Sequence, residues 1–398
     1  MALGCKSLMV LLLVCIEATA ARGQLQGHIS MAKQQYLAGE PIYVHFDVTN
    51  TGQQAVQYAA GNPYMETCGG YRIEISSSPT AAPASCQALT AEECSATAEL
   101  LAPGETVRQN ILVNYSHDVA KPGTYKIHAL QTVKYGPMTS GEIASLNQNF
   151  QLEARFQIEV NKGDPDTLKS IYQVYVNNLE SQDPDIQREA ERAIASGAPP
   201  WLENQIIGMM RRYTSREFAL LGLKNLNTQR ARDELAKVVQ NTSEYTPENE
   251  TAVDYLSQTG DKKYYPVLRD LAAKQPADQG GEYVLAAAQL GGDDAVPFLK
   301  TMLDSKNAAA RANAVAGLQK TGSREAVPLL IETLKDSDAS LGRSVLDGLA
   351  GLTHYSAGSS DSDPPAEEYG RWQAWWTANG ATAQIYGPQQ CGEVQKLP

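Results

Sequence analysis

The C-terminal half of the sequence repeats a pattern of Gly and Pro with a spacing of 31 residues. The repeated positions are Gly260, Gly291 and Gly322, followed by Pro266, Pro297 and Pro328. A leucine also stands two residues after each of these prolines. A fixed period of this length is typical of chains built from similar units that each pack against their neighbours. This spacing therefore constrains the fold of residues 260–352 more than any other feature of the sequence.

One period reads as two helices joined by a glycine turn. The first helix is predicted over 308–320 (AAARANAVAGLQK), and its expected apolar face consists of Ala308, Ala312 and Val315. Gly322 is placed to end it, because glycine accepts the left-handed conformation at a helix C-terminus. The second helix is predicted over 325–335, with an apolar face made of Val327, Leu330, Ile331 and Leu334. Neither helix can hide its apolar face alone, so stacked helix pairs are predicted.

The segments LGGDDAVPFLKTML and TGSREAVPLLIETL resemble the short HEAT-type repeats of bacterial proteins. This group is often described as HEAT-like repeats of phycobilisome-lyase type. The resemblance covers residues 250–352 and becomes degenerate over 165–249. It implies an α-solenoid with a binding surface, and it does not identify a ligand.

The first 23 residues have the features of a secretory signal peptide. A basic residue precedes an apolar run over 8–16, and the small residues at 18–20 (ATA) suit cleavage after Ala20 or Gly23. No other stretch approaches the ~18 consecutive apolar residues that a membrane-spanning helix needs. We therefore expect an exported chain, periplasmic or secreted, without a stable membrane span.

Residues 24–160 contain short β-rich runs separated by turns. The run at 42–48 is β-rich, the segment at 71–75 alternates polar and apolar residues, and further strands are predicted over 107–113, 125–130 and 150–160. Several short strands with Pro-Gly turns between them favour a β-sandwich. The phrases YLAGEPIYVHFDVTN and KPGTYKIHA are similar to strands of bacterial immunoglobulin-like or macroglobulin-like domains.

The sequence thus predicts a multidomain β + α protein. Its parts are a signal peptide at 1–23, an immunoglobulin-like β-sandwich at 24–160, a linker at 161–165, a HEAT-like α-solenoid at 166–380 and a tail at 381–398. Near the end of the solenoid, Trp372, Trp375 and Trp376 are spaced i, i+3, i+4. We interpret them as a helix that caps the last repeat, in preference to an aromatic platform for a sugar or peptide.

Four cysteines remain after removal of the signal peptide. In an exported protein a disulfide is chemically reasonable, and two bridges allow three connectivities. The preferred single bridge joins Cys68 to Cys86 or Cys94, and Cys391 lies in the tail. A metal site is the alternative, but no CxxC pair or nearby His favours it.

The charge of the chain, −12 at pH 7, disfavours nucleic acid and anionic membranes as partners. Early in the helical half, a basic run interleaves with glutamates, and we predict a solvated, salt-bridged face there. Its arginines are Arg188, Arg192, Arg211, Arg212 and Arg216. No GxSxG, P-loop, GxGxxG or HExxH pattern is present, so the sequence proposes no catalytic residue, cofactor or metal ligand.

These features favour a non-catalytic scaffold of the cell envelope or secreted space, which presents a HEAT-repeat surface to a partner protein. The partner-facing residues are expected on the first helix of each repeat or on the loops between repeats. One alternative is a bilin-lyase-like enzyme, as the label of the repeat group implies. Another is a macroglobulin-like inhibitor or envelope module; the absence of a thioester-type GCGEQ sequence disfavours its trapping mechanism.

Overall fold

The chain forms a β-rich region followed by a helical region, in the predicted order. The computed structural model describes residues 18–22, 24–60, 70–78, 98–117, 119–137, 146–240, 247–277, 280–335, 339–356 and 365–387. Two compact units divide the chain, residues 1–197 and residues 198–398.

The first unit is built from two sheets and three helices within its described residues. The strands are β1 (Ala18–Arg22), β2 (Leu25–Ser30), β3 (Gln35–Leu37), β4 (Tyr43–Asn50), β5 (Val56–Ala59), β6 (Tyr71–Ser78), β7 (Glu99–Leu101), β8 (Thr106–Leu112), β9 (Gly123–Pro137) and β10 (Gln148–Asn161). The helices are α1 (Val113–Ser116), α2 (Pro165–Asn178) and α3 (Pro184–Gly197). A four-stranded sheet has the order β1-β2-β4-β8. A six-stranded sheet has the order β3-β10-β9-β5-β7, and β6 also pairs with β9.

Strand β10 shows how the sequence builds this unit. From Phe150 to Val160 every second residue is buried, and the residues between them are exposed. This alternation arises because successive side chains of a strand point to opposite faces of the sheet. The buried side chains of β10 join Leu25, Ile29 and Phe46 of the other sheet in one apolar core. The two sheets therefore contribute to the same core.

Helices α2 and α3 pack with the strands, although the sequence assigned them to the helical domain starting at 166. Asp164 caps α2 by accepting a hydrogen bond from the backbone N–H of Thr167 at 2.9 Å. The hydroxyl of Tyr172 donates to the carbonyl oxygen of Gly39 at 2.8 Å. Asn110 of β8 donates to a carboxylate oxygen of Glu189 on α3 at 2.9 Å. These bonds hold both helices within the first compact unit.

The predicted solvated, salt-bridged face is confirmed for Arg188 of α3, which is exposed and lies 3.9 Å from Asp185, and is wrong for Arg192 of the same helix. Glu191 and Arg192 are each only 3% exposed. The guanidinium of Arg192 lies 5.7 Å from the ring centroid of Tyr115, and Glu191 accepts a hydrogen bond from Gln187 at 3.2 Å. Interleaved charges along a helix do not reveal whether a second surface will cover them. Here both charges are buried together with aromatic and polar partners.

The second unit consists, in its described residues, of helices that pack in two layers. They are α4 (Glu203–Met209), α5 (Arg216–Leu226), α6 (Gln229–Gln240), α7 (Pro247–Ser257), α8 (Tyr265–Lys274), α9 (Gly281–Gly291), α10 (Val296–Leu303), α11 (Ala308–Thr321), α12 (Ala326–Thr333), α13 (Ala339–Thr353) and α14 (Pro365–Asn379). Each odd-numbered helix from α5 to α11 packs on the next odd-numbered one, and the even-numbered helices form a second row. We call these rows the odd-helix layer and the even-helix layer. The arrangement is solenoid-like.

The two helices of one period differ in how well their buried faces were predicted. The four apolar residues predicted for the second helix are at most 3% exposed: Val327, Leu330 and Ile331 in α12, and Leu334 directly after it. In α11, Ala308 and Ala312 are exposed, and the buried face is formed by Ala310, Ala314, Val315 and Leu318. The prediction for α11 is confirmed for Val315 and wrong for Ala308 and Ala312. Alanines lie on both the exposed and the buried sides of this helix, so their spacing does not select one side.

The three glycines of the 31-residue spacing have two different roles. Gly260 and Gly322 have φ values of +69° and +61°, the left-handed conformation that glycine supplies at helix ends. Gly291 is helical, and the positive φ falls instead on Gly292, at +57°. A Cβ at Gly291 would lie 2.7 Å from Cδ2 of Tyr265. Close packing, and not backbone conformation, therefore requires glycine at 291.

We expect Gly291→Ala to destabilise the helical unit by about 1–3 kcal/mol, because the added methyl group would overlap the Tyr265 ring. Gly351→Ala is the matched control, since a Cβ at this helical position would have open space within 4 Å. The control should be neutral or raise the free energy of unfolding by up to about 1 kcal/mol. Urea unfolding followed by circular dichroism measures both. Equal effects of the two substitutions would contradict the packing role of Gly291.

Candidate functional site

A groove crosses the odd-helix layer between α7, α9 and the end of α11. Four positions of α7 and five of α9 line it, and four of the α9 positions match those of α7 at a constant offset of 32 residues. The pairs are Glu250 with Glu282, Val253 with Leu285, Asp254 with Ala286, and Ser257 with Gln289. These positions follow the i, i+3, i+4, i+7 spacing that places side chains on one helix face. Two consecutive repeats thus present equivalent faces to the same space.

The groove has an apolar floor and polar walls. Val253 and Ala286 are 2% and 7% exposed, and Leu285 beside them is half-buried. Lys320 of α11 contributes a cation at one end. The volume of the groove is about 160 Å³, which is smaller than the ~300–1,000 Å³ typical of sites for drug-sized ligands. A site of this size suits one or two side chains of a partner.

The carboxylates of the groove are close enough to affect one another. Burial raises the pKa of Glu250, and the negative charge of Glu282 raises it further. On the adjoining helix α5, Lys224 Nζ lies 4.4 Å from the ring centroid of Tyr255. Burial lowers the pKa of Lys224, and the charge of Asp254 opposes this shift. The groove-lining face of α7 therefore has two partly buried charged groups beside it, Glu250 and Lys224.

In the even-helix layer, by contrast, charged side chains form ion pairs with residues of the neighbouring repeat. Arg230 at the start of α6 lies 3.5 Å from Glu203 of α4. Lys263, just before α8, lies 3.1 Å from Asp233 of α6. Lys262 lies 3.0 Å from Asp294, just before α10. These ion pairs join successive even-numbered helices near their N-terminal ends, where they favour one register between repeats.

Within this set of ion pairs, which we call the ladder, the carboxylate of Asp233 accepts three side-chain hydrogen bonds. Its Oδ1 accepts hydrogen bonds from the Tyr264 hydroxyl at 2.7 Å, from Lys263 Nζ at 3.1 Å and from Gln229 at 3.2 Å. The bonds from Tyr264 and then Lys263 lower the pKa of Asp233 to about 2. The even-helix layer therefore uses its polar groups to hold neighbouring repeats together.

The residues that define the repeat in the sequence lie outside the groove. Pro266 and Pro297 occupy the second positions of α8 and α10, and Pro328 the third position of α12. All three are exposed. At these positions the missing N–H of proline costs little. Like the glycines at 260, 291 and 322, they shape the repeat and do not line the site.

The tryptophans of α14 pack at the end of the array. Trp372 is 1% exposed and meets Tyr355 edge to face, with ring centroids 5.4 Å apart. Tyr355 also stacks on Trp375 at 4.4 Å. A Cβ at Gly380 would lie 2.8 Å from the ring of Trp376, so the backbone covers that ring. The rings are engaged with neighbouring parts of the chain, which favours the capping interpretation over an aromatic platform.

The start of the predicted tail is bound to the last helices. Nη1 and Nη2 of Arg324 donate to the carbonyl oxygens of Gly380 and Ala383. Tyr386 stacks on His354 with ring centroids 3.7 Å apart, and its N–H donates to the carbonyl oxygen of Leu352 at 2.9 Å. Residues 380–386 therefore form part of the C-terminal cap.

The predicted disulfide residues, Cys68, Cys86, Cys94 and Cys391, lie outside the described residues. Within the part of the chain that the structure describes, no three His, Cys, Asp or Glu side chains are grouped to hold a metal ion. Across the same ranges, no helix has both the length and the apolar character needed to cross a membrane.

Comparison with known proteins identifies the repeat. Residues 281–350 match the family model for HEAT repeats, which confirms the predicted repeat type for this part of the chain. No curated protein matches the sequence.

Two solved structures are distantly similar to this chain. One is the complex of CpcE and CpcF of phycocyanin lyase from Nostoc sp. PCC7120, with 18% identity and a TM-score of 0.32 over 51% of this chain and 94% of that chain. The other is a TPR-domain containing protein from Parabacteroides distasonis ATCC 8503, with 11% identity and a TM-score of 0.22 over 84% of this chain and 75% of that chain. Similarities this low support no argument about function.

We expect Tyr264→Phe to raise the pKa of Asp233 from about 2 towards the ordinary Asp value, because it removes the strongest hydrogen bond to the carboxylate. A lowered pKa means that this carboxylate stabilises the fold above the ordinary Asp pKa and loses that contribution as pH falls towards 2. Carboxyl ¹³C NMR titration of both proteins measures the shift. An Asp233 pKa that is the same in both would contradict the bonded ladder.

Proposed function

We propose that this protein is a non-catalytic scaffold that binds a partner protein through the odd-helix layer of an α-solenoid. One observation carries the proposal. The equivalent faces of α7 and α9 create a single groove with an apolar floor and polar walls. Repeat proteins bind partners through extended surfaces of this kind, in which successive units contribute the same helix positions.

The contrast between the two layers supports this choice of face. In the even-helix layer, Lys262 and Lys263 are paired with carboxylates of neighbouring repeats. In the groove, the side-chain carboxylates of Glu250 and Glu282 form no hydrogen bond or ion pair with another described residue. Polar groups that are already bonded within the chain contribute little to binding, whereas unsatisfied groups favour a complementary partner.

We further propose that the first unit is an immunoglobulin-like β-sandwich and that the chain is exported by bacteria. The single apolar core shared by the two sheets supports the sandwich. The apolar run and small residues of the first 23 residues support export. Cleavage after Gly23 would remove β1, which is an edge strand paired with β2 alone, and would leave β2, β4 and β8 joined.

We expect a photo-crosslinking residue in place of Gln289 to trap the partner in the host cell, because this half-buried side chain lines the groove. The same residue in place of Ala273, an exposed position of α8 in the even-helix layer, is the matched control. Crosslinked complexes separated by electrophoresis and identified by mass spectrometry measure the outcome.

Equal crosslinking at both positions, or crosslinking at 273 alone, would contradict binding through the odd-helix layer. The non-catalytic part of the proposal has its own test. Covalent transfer of a bilin pigment from the purified full-length protein to an acceptor protein would overturn it in favour of a lyase-like enzyme.

A further inference from the structure

The groove of the odd-helix layer holds two carboxylates that lack a counter-charge. Glu250 and Glu282 occupy equivalent positions of α7 and α9, and neither contacts a cationic side chain among the described residues. Asp254 adds a third carboxylate to the lining, whereas Lys320 is the one cation that the described lining contains. Two like charges on neighbouring helices repel each other, and a cation placed between them would relieve the repulsion.

The floor of the groove suits the aliphatic part of a long cationic side chain. Val253, Leu285 and Ala286 form an apolar surface beside the carboxylates. Arginine and lysine bury their methylene groups on surfaces of this kind while the charged end reaches polar partners. The volume of about 160 Å³ limits the occupant to one or two side chains, so a folded element would not enter.

Arginine fits the two carboxylates better than lysine does. Its guanidinium is planar and presents several N–H donors in fixed directions, so it can donate to carboxylates on two sides. The ammonium group of lysine has a compact charge and strong hydration, which makes its removal from water less favourable.

We propose that the groove between α7 and α9 binds an arginine side chain of the partner, flanked by apolar residues of the same segment. The inference rests on the proposed partner-binding function of the odd-helix layer and names the chemistry of the segment that is bound. The guanidinium lies between Glu250 and Glu282, and its methylene groups lie on Val253 and Leu285.

The test begins with selection of peptides on the full-length protein from a phage-displayed library of random dodecamers. We expect arginine with apolar neighbours to be enriched in the selected sequences. The same selection on the Glu250→Gln/Glu282→Gln double variant should lose this enrichment, because both substitutions keep the side-chain shape and remove the charge. Asp293→Asn/Glu325→Gln is the matched control, since it removes two exposed carboxylates that lie outside the groove.

One selected peptide then gives a quantitative test by fluorescence polarisation. Replacing its arginine with citrulline, which has nearly the same shape and no charge, should weaken binding about tenfold or more. The same peptide should bind the double variant about tenfold more weakly than the unaltered protein. Citrulline should cause little further loss there, since both changes remove the same interaction.

Absence of arginine enrichment, or enrichment that persists on the double variant, would overturn the inference. Additive losses from citrulline and from the double variant would overturn it as well. These outcomes are distinguishable from failure of the proposed function. If position 289 crosslinks to the partner and the double variant binds that partner normally, the scaffold proposal survives while the arginine site does not.

Discussion

The helical half of this protein depends on burial of apolar helix faces between neighbouring repeats. The face of α12 is fully covered, with Leu330 at 0% exposure, although a single helix pair has no means of covering it. Each helix of the odd-helix layer contacts the next one of that layer. Stability in such an array comes from the contacts between adjacent units, so every unit must match its neighbour closely. At Gly291 even one added methyl group would overlap the ring of Tyr265, so the packing between these units leaves no room for a larger side chain.

This requirement also explains how the polar groups are divided between the layers. Stacked apolar faces are non-directional and would allow neighbouring repeats to slide. Ion pairs at the starts of the even-numbered helices, such as Lys262 with Asp294, join specific residues of successive repeats and so define the register. The odd-helix layer around the groove is left with two carboxylates, those of Glu250 and Glu282, that form no ion pair with a described cation. The even-helix layer thus holds neighbouring repeats together, and the odd-helix layer is available to bind a partner.

Much of the fold could be predicted from the sequence, because periodic patterns report directly on local structure. The order of strands and helices, the strand at 150–160 and the buried face of α12 followed from the sequence pattern. The face of α11 followed only for Val315, since alanines lie on both the exposed and the buried sides of that helix. The burial of Arg192 also escaped prediction, because it depends on Tyr115, which is distant in sequence.

The groove was missed because its period differs from that of the sequence pattern. Alignment by the spacing of 31 residues places Glu250 opposite Gly281, whereas the groove pairs Glu250 with Glu282. The reason is visible in the backbone: positive φ values fall on Gly260 and Gly292, which are 32 residues apart.

The odd-helix layer carries the binding surface in this account, while the even-helix layer holds the repeats in register. Hydrogen–deuterium exchange of the full-length protein, with and without the partner trapped by crosslinking at position 289, tests this division most directly. The account predicts slower exchange in α7 and α9 on binding, with α8 and α10 unchanged. Slower exchange confined to α8 and α10, or to the strands of the first unit, would contradict it.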